Sequence, residues 1–118
     1  MIKLKRAYQE AEESDGVRVL VDSLWPRGVT KERAAIDWWA KELAPSPELR
    51  RWFGHVPARF TEFKERYEAE LERKHEALTR LRDLAASQSV TLVYGAKDTE
   101  HNQAVVLAGL VAADPVIT

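Results

Sequence analysis

Polar side chains that could bind an anion or transfer a proton follow two apolar runs of this chain. The first run, Val17 to Asp22, ends in an acid and leads into a loop that contains Trp25 and Arg27. The second run, Val90 to Tyr94, leads into a polar segment with Lys97, Asp98, His101 and Asn102. Arginine and lysine bind carboxylates and phosphates, and histidine transfers protons near neutral pH. These residue types therefore predict a site for an anionic ligand.

Arg27 is the first candidate for a catalytic or anion-binding group. It stands between Pro26, which restricts the backbone, and Gly28, which permits a sharp turn. A guanidinium can bind a carboxylate or phosphate through two parallel hydrogen bonds. The alternative is a surface arginine that pairs with a nearby acid and holds the loop. Asp22 is such an acid, because a carboxylate at the end of an apolar strand needs a partner, and a structural Asp22–Arg27 pair is its favoured role.

The segment after the second run supplies the other candidates. His101 and Asn102 are expected in the first turn of a final helix, where free N–H groups and the helix dipole favour an anion. A neutral His101 there would suit proton transfer, although a histidine bonded to a carboxylate or carbonyl is an equal alternative. Lys97 either binds the anion or is solvated. Asp98 is expected either to bind ligand or to cap the helix.

Aromatic residues could complete a pocket. Of the four tryptophans, only Trp25 lies in a proposed site loop, where it could stack on a flat ligand; core packing is the favoured role for tryptophans in a chain of this size. Arg50 and His55 could wall the pocket from the side.

Composition excludes several classes of function. The chain has 118 residues and no cysteine, so thiol catalysis, disulfides and cysteine-rich metal sites are excluded. The three histidines show no metal-ligand spacing, and no nucleotide-binding glycine motif is present, so we expect neither a metal nor a cofactor. Eighteen basic and nineteen acidic residues give a net charge of -1, which disfavours nucleic-acid binding. The longest apolar stretch, Ala104 to Ala113, is too short to span a membrane, so we expect a cytoplasmic protein.

The pattern of elements predicts a single α/β domain over residues 1–118, with a small, mostly parallel sheet flanked by helices. Helices are predicted from Ser46 to Phe53 and from Pro57 to about Ala86. Near Lys74 to Glu76 the second segment is either kinked or divided into two consecutive helices. This helical segment separates the two apolar runs, as parallel pairing requires, so both strands would end at the same edge of the sheet. Ligands bind at that edge in open α/β sheets. An antiparallel edge or a hairpin remains an alternative, and the direction of the N-terminal strand, Ile2 to Ala7, is open.

Two shorter elements are also predicted. A helical stretch is expected to begin at Asp37 and to carry Trp38 and Trp39. The last helix is expected to run from Glu100 to about Ala112, with Asp98 or Thr99 as its cap, and to be ended by Asp114-Pro115.

Several segments resemble one known family. These are Val19 to Gly28, Leu43 to Ser46, Leu49 to His55, and Tyr94 to Asp98 continuing to His101-Asn102. In this order they are similar to the YeaO-like family, small bacterial proteins of the class named domain of unknown function 488. The resemblance covers nearly the whole chain and implies one α/β domain from a bacterium or archaeon, with no assigned activity. Family members often carry Arg at Ser23, Ala at Gly95, and Asn or His at Gln103. The serine weakens any mechanism that needs two arginines at this edge.

We therefore predict a site for a small anionic or phosphorylated molecule, with or without catalysis, at the ends of strands 17–22 and 90–94. The first alternative is a non-catalytic domain that binds a protein or nucleic acid through a patch around Trp38 and Trp39. The second is a homodimer formed through the long amphipathic helix, so the chain is expected to be a monomer or a homodimer.

Overall fold

A sheet of four parallel strands forms the centre of the computed structural model, which describes residues 1–112. The strands are β1 (Ile2–Arg6), β2 (Val17–Leu20), β3 (Trp38–Trp39) and β4 (Val90–Tyr94), in the spatial order β1-β4-β2-β3. The helices are α1 (Lys31–Ala34), α2 (Pro47–Phe53), α3 (Phe60–Leu71), α4 (His75–Ser87) and α5 (Gln103–Ala112). The predicted α/β class with a parallel sheet is confirmed. The Asp114-Pro115 stop predicted for the last helix lies outside the described residues.

The two apolar runs pair in parallel at the centre of the sheet, as predicted. Val17 is in register with Val90 and Leu20 with Val93. Every residue of β4 is buried, because both faces of this central strand are covered. Helix α5 packs against one face, and the other face is covered by non-helical side chains, namely Ala7, Trp25, Ile36 and Trp39. The Val21 N–H donates to the Val93 carbonyl at 3.0 Å, so pairing continues past the end of β2. The loops after β2 and β4 consequently leave the same edge of the sheet.

Strand β1 lies on the other side of β4 and is parallel to it, which settles the direction that the sequence left open. The chain returns from β1 to β2 through residues 7–16, which include a short 3-10 turn at Glu13–Asp15. Asp15 is fully buried beside β2, where the Arg18 Nη1 donates to its carboxylate at 2.6 Å and the Lys5 Nζ at 3.2 Å. This charged cluster fixes the return segment against the sheet.

The helix predicted to begin at Asp37 is wrong, because Trp38 and Trp39 form β3 and pair with Val19 and Leu20. These residues form a strand because the edge of β2 is free to pair with them. The pairing begins next to Trp38, where the Asp37 N–H donates to the Arg18 carbonyl at 2.9 Å. Aromatic residues also favour strands. A two-residue strand at a sheet edge leaves no periodic pattern to detect.

Helices α2, α3 and α4 follow the predicted pattern. Ser46 caps α2, since the Leu49 N–H donates to its hydroxyl at 3.1 Å, and Gly54 ends α2 with a φ of 52°. Of the two alternatives for the long helical segment, two consecutive helices is confirmed, because α3 and α4 are separated at residues 72–74. Phe53 of α2 stacks on Phe63 of α3 with ring centroids 4.4 Å apart, and this contact fastens α2 to the core. Across residues 1–112, no helix has the length and apolar character needed to cross a bilayer.

Candidate functional site

A cavity of about 500 Å³ opens where the loops after β2 and β4 meet. This volume lies within the range of pockets that enclose small ligands. Six of the residues proposed from the sequence line it: Asp22, Trp25, Arg50, His55, His101 and Asn102. Asp22, Trp25, His101 and Asn102, which follow the two strands, therefore meet at one cavity, and Arg50 and His55 line it from α2 and the turn after α2.

Asp22 forms the floor of the cavity and joins the two strand ends. The Gly95 N–H donates to its Oδ2 at 2.8 Å, and the Gln103 side-chain amide donates to its Oδ1. Burial raises the pKa of the Asp22 carboxyl, against hydrogen bonds from Gly95 and Gln103 and the positive charge of Arg50, which lower it. The predicted Asp22–Arg27 pair is thus replaced by a backbone and an amide donor, with Arg50 as the nearby cation.

His101 is held by a carboxylate and lines the cavity wall. Its Nδ1 lies 2.9 Å from the Asp98 Oδ2, and its ring meets the edge of Phe60 at a centroid distance of 5.2 Å. Because an ionised carboxylate only accepts hydrogen bonds, Nδ1 carries the proton in this pair. The pKa of Asp98 is lowered first by the Glu100 N–H and then by His101. Nε2 is therefore the basic nitrogen of His101.

The last helix begins later than predicted, which changes the role of its N-terminus. Helix α5 starts at Gln103 rather than Glu100, and Asn102 caps it by accepting the Val105 N–H at 3.1 Å. The predicted cap, Asp98, instead accepts the N–H groups of Glu100 and His101 in a preceding turn. His101 and Asn102 consequently precede the helix. The N–H groups of Glu100 and His101, which were expected to be free for an anion, are therefore already bound by the Asp98 carboxylate.

The cationic side of the cavity comes from α2 and the turn after it. Arg50 and Arg51 lie on consecutive positions of α2, and His55 follows with a left-handed φ of 57°. The Glu70 carboxylate of α3 accepts hydrogen bonds from the Ser46 N–H at 2.9 Å and from its hydroxyl at 2.6 Å. These two hydrogen bonds fix the first turn of α2 against α3, and the backbone that carries the two arginines is therefore held in place.

The Trp25 ring forms an aromatic wall of the cavity, and contacts within the protein fix its orientation. The Trp25 Nε1–H donates to the Val29 carbonyl at 2.6 Å, and the Trp25 ring meets the edge of Trp39 at 5.4 Å. Leu24, which is 70% exposed, and Tyr8 complete the mouth of the cavity. A fixed, half-buried tryptophan with exposed apolar neighbours can cover the face of a flat group.

Three of the proposed residues lie away from the cavity lining. Arg27 and Lys97 are exposed on their loops, and Asp98 stands behind His101. Pro26 is buried while Arg27 is exposed, so the restricted backbone that drew attention to Arg27 anchors the loop and directs the arginine outward.

Sequence reasoning missed Gln103 and Arg51 as lining residues, and it placed Ser23 at this edge of the sheet without giving it a role. The sequence pattern could have indicated Gln103 as a site residue, because it is a polar residue at the start of an otherwise apolar helix. Ser23 has a buried hydroxyl oxygen that finds no hydrogen-bond partner among residues 1–112. Buried polar groups are normally paired, so Ser23 marks a place where a bound molecule could contribute a contact.

Metal ligation is not built into this part of the molecule. Within residues 1–112, no three His, Asp or Glu side chains come together in a group that could hold a metal ion. The chemistry at hand is hydrogen bonding, charge and one oriented imidazole.

The fold and the cavity describe a small parallel α/β domain, and comparison with known proteins assigns its family. Residues 1–114 match the family model described as the inactive DUF488-N3 subclade. The chain is 49% identical over 107 residues to the uncharacterized protein YeaO of Escherichia coli K12, covering 91% of this chain and 93% of that protein. It is 41% identical over 109 residues to Rv3073c of Mycobacterium tuberculosis H37Rv, covering 92% of each. The chain belongs to the DUF488 family. No solved structure matches it significantly.

Proposed function

We propose that this protein binds a small anionic organic molecule in the cavity at the ends of β2 and β4, with Arg50 as the principal anion-binding group. The observation that carries this proposal is the cavity itself, whose lining combines Arg50 and Arg51 of α2 and His55 of the following turn with the fixed ring of Trp25. Pockets for small ligands combine such apolar walls with a few fixed polar groups.

Electrostatics support an anionic ligand on the α2 side. Arg50 and Arg51 are exposed, and Arg50 is near enough to Asp22 for its charge to act on the carboxylate. A guanidinium binds a carboxylate or phosphate through charge-assisted hydrogen bonds, which are stronger than neutral ones. Arg27 and Lys97 lie outside the lining and add long-range attraction for an anion that approaches the mouth.

Binding without turnover is the simpler form of the proposal. His101 has the arrangement of a general base, with Asp98 on Nδ1 and Nε2 left basic. The matching family model, however, carries the description inactive. We therefore assign His101 to ligand contact, where Nε2 accepts a hydrogen bond or, once protonated, donates one to the anion.

The alternative role as a protein- or nucleic-acid-binding patch at Trp38 and Trp39 finds less support. Trp38 is buried under Arg80, whose guanidinium carbon lies 4.0 Å from the ring centroid, and the Lys41 Nζ lies 4.0 Å from the centroid of Trp39.

A cytoplasmic location and a monomeric or homodimeric state stay predictions. Light scattering at several protein concentrations measures the oligomeric state.

Isothermal titration with phenyl phosphate and with phenol tests the proposal. Phenyl phosphate carries both a ring and an anion, and phenol carries the ring alone, so the protein should bind the phosphate at least about tenfold more tightly, the equivalent of ~1.4 kcal/mol. Arg50→Gln should remove most of this preference. Arg27→Gln is the matched control, because it deletes an exposed arginine outside the cavity.

Two results would contradict the proposal. One is the absence of heat from phenyl phosphate at millimolar concentration. The other is an Arg27→Gln variant that loses binding while Arg50→Gln retains it, which would move the anion contact to the loop after β2.

A further inference from the structure

We propose that the ligand is a purine mononucleotide with a guanine-type edge, in which the ring N1–H and the adjacent exocyclic amine face Asp22 and the phosphate faces Arg50. This inference rests on the proposed function and adds the second recognition group. It follows from the opposite chemistry of two cavity walls: a carboxylate floor at the end of β2 and a cationic rim on α2.

Both carboxylate oxygens of Asp22 can accept a further hydrogen bond. Each of its oxygens accepts one hydrogen bond from the protein, from Gly95 and from Gln103. A carboxylate oxygen can accept two, so one lone pair remains on each. Those two contacts also fix the plane of the carboxylate. Two parallel N–H groups on a ligand edge match two carboxylate oxygens, as the two N–H groups of a guanidinium do.

The surroundings of Asp22 favour a planar donor over a flexible amine. Trp25 is fixed by its bond to Val29 and by the edge of Trp39, so its ring is a preorganised surface. Phe53 and Phe63, which are buried and stack on each other at 4.4 Å, also line the cavity and add apolar surface. Nucleobases stack favourably on aromatic side chains.

A free nucleotide fits better than a nucleic-acid strand. The net charge of the chain is -1, and binding a polyphosphate backbone depends on many basic side chains. A cavity of about 500 Å³ has the size for a single base with its sugar and phosphate.

Titration of the unaltered protein with four probes tests the inference without depending on how a variant folds. The probes are guanosine monophosphate, inosine monophosphate, phenyl phosphate and O-phosphoethanolamine. Inosine monophosphate lacks the exocyclic amine and offers one N–H to Asp22, so it should bind about tenfold more weakly than guanosine monophosphate. Phenyl phosphate offers none and should bind more weakly still.

Asp22→Asn adds a second, independent measurement. It should abolish the advantage of guanosine monophosphate over inosine monophosphate, because the amide nitrogen of an asparagine cannot accept a hydrogen bond. Circular dichroism of the variant shows whether the sheet is retained; if it is lost, the four-probe series on the unaltered protein decides.

The outcomes separate the two proposals. If phenyl phosphate binds and guanosine monophosphate binds no more tightly, the nucleotide inference is wrong and the anion site stands. If O-phosphoethanolamine equals guanosine monophosphate, Asp22 selects an amine and the planar edge is wrong. If none of the four binds, both proposals fail.

Discussion

The Asp22 carboxylate accepts the Gly95 backbone N–H at 2.8 Å, and this single bond joins the residues that follow the two central strands. A β-carbon on Gly95 would lie 3.0 Å from the Asp22 Oδ2. The contact is therefore already close, and the position of the carboxylate is coupled to the path of the chain after β4. The floor of the cavity is one rigid unit made from both loops.

Substitution by alanine should reduce the free energy of unfolding to different extents at two glycines with positive φ. Gly16 has a φ of 65°, and an added β-carbon would lie 2.2 Å from the Ser89 carbonyl oxygen, whereas Gly28 has a φ of 80° with no atom within 4 Å. Gly28→Ala should cost only the backbone strain, about 1–2 kcal/mol. Gly16→Ala adds a backbone clash and should cost at least about 3 kcal/mol. Urea unfolding measures both, and equal losses would show that strain alone matters at Gly16.

Asp15 should make stability depend on acid pH. Burial raises the pKa of its carboxyl, but hydrogen bonds from the Glu12 N–H, Lys5 and Arg18 outweigh burial and bring the pKa from 3.8 to about 2. The folded pKa is depressed, so this stabilisation is complete above pH 4 and is lost as the pH falls toward 2. A shift of this size corresponds to about 2 kcal/mol.

The variant Asp15→Asn checks this in urea titrations at several pH values. At pH 7 the free energy of unfolding of this variant should be about 3–5 kcal/mol lower than that of the unaltered protein, since the variant leaves the buried charge of Arg18 unpaired. This difference in unfolding free energy should become smaller as the pH falls toward 2. Glu12→Gln is the control: Glu12 also contacts Lys5, at 2.7 Å, but its side chain is 65% exposed and should contribute less than about 1 kcal/mol. A constant difference across pH would contradict the assignment.

Asn102 should be the more important of two helix caps. It is buried, accepts the Val105 N–H and donates its amide to the Asp98 carbonyl at 2.9 Å. Asn102→Ala should therefore cost about 2 kcal/mol, near the upper end for caps. Thr30→Ala removes an exposed cap, whose hydroxyl accepts the Arg33 N–H at 3.1 Å, and should cost about 0.5–1 kcal/mol. Thermal or urea unfolding compares them, and the reverse order would show that burial of the cap is unimportant.

Asp98 should set the tautomer of His101. With Asp98 ionised, the proton of the neutral imidazole belongs on Nδ1. Nitrogen-15 NMR of the histidine rings should show this tautomer as the major one at a pH where the imidazole is neutral. Asp98→Ala removes the acceptor and should shift the population toward the Nε2–H tautomer that is more common in free histidine. His75, which is exposed, is the internal reference, and unchanged His101 shifts would exclude an orienting role for Asp98.

The sequence by itself determined the elements whose cause is local. The apolar β-branched runs of β2 and β4 predict buried strands, the Ser46 cap and Gly54 set the ends of α2, and the polar interruption after Leu71 divides α3 from α4. Because a long helical segment separates β2 from β4, the sequence also favoured parallel pairing, with the loops after both strands at one edge of the sheet.

Only the tertiary structure decided which partners each side chain meets. Trp38 and Trp39 became a strand because β2 had an unpaired edge, and Asp22 found Gly95 and Gln103 in place of Arg27. Hydrogen bonds between segments about 80 residues apart leave no trace in local periodicity. The helix start at Gln103 was likewise set by where Asn102 became buried, because a cap is chosen by the packing around it as well as by its residue type.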